Sequence, residues 1–126
     1  MAQAIIKTPS TNNLVLPLTN FGDLDEFFIN VMTGSGWIKL SFMICVLSTY
    51  AGTNFVNLQL TADGIIIPNT LTCDLILQNV YKTVNIISMV RMGAGQHVFG
   101  VSASAVPANI NIYGRTAAYI LHELGY

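Results

Sequence analysis

The chain has 126 residues and a mass of 13.7 kDa, the size of one domain. Apolar residues make up 52% of it and charged residues 9%, with five Lys/Arg, six Asp/Glu and a formal net charge of −1. A disordered chain needs the opposite balance and an electrostatic nucleic-acid binder needs a basic surplus, so both are excluded, while a nearly neutral, thinly charged surface favours association.

In chain order, residues 1–12 are polar and hydroxyl-rich apart from Ile5 and Ile6, which predicts a flexible N-terminal arm. A single domain then runs from 13 to 126, with no internal repeat or linker. Runs rich in Val, Ile, Leu, Phe, Thr and Tyr are punctuated by Gly, Asn, Asp and Pro, the pattern of an all-β sandwich or barrel. The predicted strands are Leu14–Leu18, Glu26–Thr33, Trp37–Thr49, Asn54–Ala62, Ile65–Pro68, Thr72–Leu77, Lys82–Met92, Gly95–Ala105, Asn109–Tyr113 and Ala117–Leu124. Asp63-Gly64 is a hairpin signal, because both residues tolerate the positive φ of a type I′ turn. Gly34-Ser35-Gly36 and Gly93-Ala94-Gly95 read as slightly longer hairpin loops.

Several runs show which face is buried. In Asn54–Ala62 the apolar set Val56, Leu58, Leu60 and Ala62 alternates with Asn57, Gln59 and Thr61. Trp37–Leu47 is different: Ile38, Leu40, Phe42, Ile44 and Val46 share one face, and Trp37, Met43, Cys45 and Leu47 share the other with Lys39 and Ser41. Gly95–Ala105 and Ala117–Leu124 also carry apolar or small residues on both faces. A strand apolar on both faces needs two covers, and the second is expected to be a neighbouring subunit. The interface residues predicted on this ground are Trp37, Met43, Cys45, Leu47, Phe99, Val101, Tyr119 and Leu121. One or both of Arg115 and Glu123, charges set in an apolar region, are expected to make an intersubunit ion pair that fixes partner choice, the alternative being a solvent-exposed strand end.

The positive mean hydropathy of +0.57 does not arise from a membrane helix, since no apolar run approaches the roughly 20 residues a span requires. No signal-peptide pattern opens the sequence, so manufacture in a host cytoplasm is expected. Cys45 and Cys73 sit in apolar strand-like runs and are expected to be buried free thiols. His97 and His122 are read as hydrogen-bonded strand histidines, and Asp23, Asp25 and Glu26 as a solvated loop. No nucleophile elbow, phosphate-cradling loop or dinucleotide fingerprint is present. The expectation is a non-enzymatic protein with no metal and no cofactor.

The C-terminal third carries a resemblance. Gly95-Gln96-His97-Val98-Phe99-Gly100-Val101, then Asn109-Ile110-Asn111-Ile112-Tyr113, then Arg115 through Leu124, with the Asp63-Gly64 hairpin ahead of them, resembles the closing strands of trimeric jelly-roll heads. Such heads occur on bacteriophage fibre, decoration and receptor-binding proteins and look like tumour-necrosis-factor ligands and complement-type heads. The likeness extends from about Trp37 to the end. It implies an antiparallel jelly-roll β-sandwich of roughly eight to ten strands, assembled as a homotrimer. It also implies a structural virion role, as capsid decoration or fibre head, with the major capsid protein or a fibre as partner. Ile5, Ile6 and Lys7 are then expected to anchor the arm on the shell. The alternative is a carbohydrate- or receptor-binding module reaching a host surface through exposed aromatics, with Trp37, Tyr50, Tyr81, Tyr113 and Tyr126 as candidates.

Overall fold

Strict alternation of apolar and polar side chains forces long strands with one face inward, and two such layers close on each other. The computed structural model describes residues 4–7, 13–15, 21–106, 111–113 and 117–125. The strands are β1 (Ala4–Lys7), β2 (Asn13–Val15), β3 (Gly22–Asp23), β4 (Ile29–Thr33), β5 (Gly36–Leu47), β6 (Asn54–Ala62), β7 (Ile65–Ile66), β8 (Thr72–Ile76), β9 (Lys82–Met92), β10 (Gly95–Val106), β11 (Asn111–Tyr113) and β12 (Ala118–Gly125). One 3₁₀ turn, Asp25–Phe27, precedes β4. It occupies the start of the predicted strand Glu26–Thr33 and turns Phe27 into the core, where it is fully buried.

The first sheet runs β1-β12-β5-β9, with β11 and β2 continuing beside the end of β5. The second runs β4-β10-β6-β8, with the short β3 and β7 at its margins. Strand pairing among the described residues is antiparallel, with one isolated parallel bridge between Ser48 and Gln78. The chain passes from β4 to β5, to β6 and β8, to β9, to β10 and to β12, changing sheet at nearly every step. This is an antiparallel jelly-roll β-sandwich. No helix among the described residues is long and apolar enough to cross a membrane.

The core is built from the inward rows: Ile38, Leu40, Phe42, Ile44 and Val46 of β5 against Val56, Leu58 and Leu60 of β6 and Phe99, Val101, Ala103 and Ala105 of β10. At its centre Phe42 meets Phe27 edge-on at 5.0 Å and Tyr119 edge-on at 5.6 Å. Tyr119 lies on β12 of the first sheet, and its hydroxyl donates to the Gly100 carbonyl of the second at 3.1 Å. Burial pushes that phenol well above its ordinary pKa, so it remains a donor and ties the two layers together.

Four predicted interface residues therefore belong elsewhere. Phe99, Val101, Tyr119 and Leu121 are each fully buried within the protomer, which leaves them no surface to offer a second subunit. The outward residues of β10 are Gly100, Ser102 and Ser104, and those of β12 include Ala118, Ile120 and His122. The phase of both strands is the reverse of the one that places the large side chains outside.

The arm also needs correcting. Ala4–Lys7 is a strand on the free edge of β12, in the register Ile5↔Leu121 and Ile6↔Ile120. An edge strand offers a row of unpaired backbone groups, and this segment pairs with them. Ile5 packs against the core and Ile6 points outward. Cys73, expected to be buried, is exposed, because edge strand β8 aims it away from the core beside Asn57. Arg115 and Tyr126 lie outside the described residues.

Candidate functional site

The outward face of the first sheet combines residues from four strands. Register sets them in rows: Trp37 beside Arg91; His122, Lys39 and Met89; Ile6, Ile120, Ser41 and Ile87; Ala118, Met43 and Asn85. Trp37, Met43, Leu124, Met89, Ile6 and Ile87 expose between 38% and 67% of their surface. Cys45 and Leu47 continue the face, half-buried, toward the end of β5. Its charged positions among the described residues are Lys39 and Arg91, with His122 as the titratable third, and no carboxylate faces outward there.

The second sheet turns a different face to solvent. Its middle rows are Asn57 with Ser104 and Gln59 with Ser102, and Asn57 donates to the Ser104 hydroxyl at 3.3 Å. Toward its margins this layer also exposes Met32, Phe55, Leu75, Ile65 and Ile66, so its apolar surface is split around a polar middle, whereas that of the first sheet runs in rows across its strands.

His97 and Asp63 form a separate network at one end of the sandwich. Asp63 has φ of 52° and Gly64 of 79°, the positive values a two-residue hairpin between β6 and β7 requires. The Asp63 carboxylate reaches His97 Nδ1 at 2.7 Å and accepts the Val98 N–H at 2.8 Å. His97 Nε2 contacts the Gly93 carbonyl at 2.7 Å. Both ring nitrogens thus face acceptors, which only the imidazolium satisfies with two donors. The carboxylate, and after it the Gly93 carbonyl, raises the His97 pKa above its ordinary value. The His97 hydrogen bond, and after it the Val98 N–H, lowers that of Asp63.

This network fixes the sign of a pH dependence. The His97 contribution is complete below the unfolded value near pH 6.5 and is lost as pH rises through the raised folded value. The Asp63 contribution is present above its unfolded value and is lost as pH falls through the lowered one. Urea midpoints are therefore expected to decline as pH climbs past about 7, and Asp63→Asn is expected to flatten that decline. Asp63 remains 43% exposed, so solvent screening limits the change to about 1 kcal/mol.

Glu123 faces the core side of β12 near its end, and its Oε1 accepts the Gly34 N–H at 2.8 Å. It thus holds the β4–β5 turn of its own chain. Among the described side chains of the candidate aromatics, Trp37, Tyr50 and Tyr81 do not cluster. Trp37 is on the first sheet's face, whereas Tyr50 lies in the β5–β6 connection and Tyr81 just before β9, both exposed.

The fold places the chain among antiparallel jelly-roll sandwiches. No protein-family model matches the chain, and no curated protein matches it. Solved structures do share the fold. A chain of infectious bursal disease virus, Gx strain, is similar at a TM-score of 0.64 and 6% identity over 97% of this chain and 32% of that one. Eiger TNF of S. frugiperda is similar at 0.56 and 9% identity, over 99% of this chain and 92% of its own. Latent PorU of Porphyromonas gingivalis is similar at 0.58 and 11% identity, over 97% of this chain and 12% of that one. The chain thus spans about a third of the viral protein and a smaller part of PorU. Identities this low show the fold alone.

Proposed function

We propose that the chain is a structural subunit of a virus particle, a bacteriophage decoration or fibre-head protein, that works as a homotrimer and catalyses no reaction. The observation that carries this reading is the outward face of the first sheet. Trp37, Met43, Ile87, Met89, Leu124 and Ile6 lie on one layer, in rows that run across β1, β12, β5 and β9. Covering such half-exposed side chains contributes roughly 1 kcal/mol each, so the favoured occupant is a neighbouring subunit. The jelly-roll likeness to a viral chain supports a place in a particle, with the major capsid protein or a fibre as the second partner.

The contact is non-covalent. It uses shape, apolar burial and the two cations Lys39 and Arg91, which would meet acidic groups of the neighbour. In density gradients of particles from its native host, the chain is expected to band with the capsid at a fixed ratio. Recovery only in the particle-free fractions would refute a virion role.

A further inference from the structure

The outward side of the second sheet carries a trough of about 280 Å³, and we propose that it is a binding site for one ring of a neutral sugar. It is independent of the assembly face, which lies on the other sheet.

One wall of the trough depends on a glycine. Gly100 sits mid-strand on β10, between Phe28 and Thr61. A Cβ there would come within 2.6 Å of the Phe28 ring and 2.9 Å of the Thr61 hydroxyl. Its missing side chain lets the half-buried Phe28 lie across the sheet, and a strand-interior glycine of this kind marks close approach. Phe28 and Ile66 supply apolar walls to the trough.

The polar side comes from the neighbouring row. Asp23 and Gln59 flank Ser102 across three strands, and the Ser102 hydroxyl donates to Asp23 Oδ1 at 2.8 Å. Among the described residues Asp23 Oδ2 and the half-buried Gln59 amide have no partner. The site therefore offers a free carboxylate acceptor, an amide that both donates and accepts, and an aromatic ring beside them.

Those groups select a ligand class. Among the described residues no cation lines the trough, so a phosphate, sulfate or acidic sugar would bring its charge against Asp23 uncompensated. A single carboxylate does not make a cation site, which needs several oxygen ligands. A neutral pyranose fits both sides: its C–H face lies on an aromatic ring, and vicinal hydroxyls reach a carboxylate and an amide. The volume is just under the roughly 300–1,000 Å³ of drug-sized pockets, which suits one ring and weak binding strengthened by several copies in an assembly.

The test is a titration of the isotopically labelled chain, followed by amide NMR. The probes are the methyl glycosides of glucose, galactose, mannose and N-acetylglucosamine, with N-acetylneuraminic acid as the anionic comparison. At least one neutral glycoside is expected to give saturable shifts confined to the segments around Asp23, Gln59–Thr61 and Val98–Ser102. Asp23→Asn and Gln59→Ala are each expected to weaken it about tenfold, with the rest of the spectrum unchanged. Gln59→Ala removes a side chain with no partner among the described residues, so it keeps the test open even if the Asp23 variant is destabilised. No shift with any neutral glycoside, shifts indifferent to both substitutions, or equal binding of the anionic sugar would overturn the proposal.

Discussion

Met43→Asp combined with Ile87→Asp is expected to leave the chain folded and reduce it to a monomer. Both side chains point away from the core, on β5 and β9, with 39% and 67% of their surface exposed. In the monomer a carboxylate at either position stays in water, and the strand tolerates it at a cost of about 1 kcal/mol or less. In the assembly each would be buried against apolar surface with no partner. Losing the contact and desolvating the charge together cost several kcal/mol per interface, which is two or more powers of ten in the association constant. The far-ultraviolet circular dichroism is expected to be unchanged while the elution volume shifts to that of a single chain. If the double variant keeps the oligomer, this face is not the interface.

Phe42→Ala is expected to be the most damaging single substitution in the core. Phe42 is 1% exposed and lies between Phe27 and Tyr119, in edge-on contact with both. Removing it leaves a cavity between the sheets and breaks both ring contacts, for a loss of about 3–5 kcal/mol. Domains of this size have only about 5–15 kcal/mol in total. Tyr119→Phe deletes only the bond to the Gly100 carbonyl and is expected to cost about 1 kcal/mol. Urea unfolding of the two variants separates these scales, and a Phe42→Ala loss no larger than that of Tyr119→Phe would contradict the central position given to the ring cluster.

The two strands with the clearest signals in the sequence are found with the predicted limits. Asn54–Ala62 alternates cleanly, and Lys82–Met92 is bounded by turn residues on both sides. Asp63-Gly64 has the backbone its residue types demand. In β5 the hydrophilic markers Lys39 and Ser41 gave away the phase, so the two faces of Trp37–Leu47 were legible. Tyr119 and Leu121 were misplaced because β12 has aliphatic residues on both sides, and period-two alternation then says nothing about which side is inward. Its phase is settled only by the register Ile120↔Ser41. For Phe99 and Val101 the clue was present, since Ser102 and Ser104 mark the outer side of β10. It was obscured by their small size, which let both faces pass as packable. The pairing of Ala4–Lys7 depends on an open edge far along the chain, which no local pattern records. Gly100 was the visible trace of the trough, but its meaning required knowing that Phe28 lies over it.

Covering of the first sheet's outward face by copies of the chain is tested most directly by the mass of the wild-type protein in solution. Light scattering on the eluting peak is expected to give about three times the 13.7 kDa chain mass, constant across the peak. A mass of one chain, held to concentrations well above those of a particle-bound protein, would contradict it.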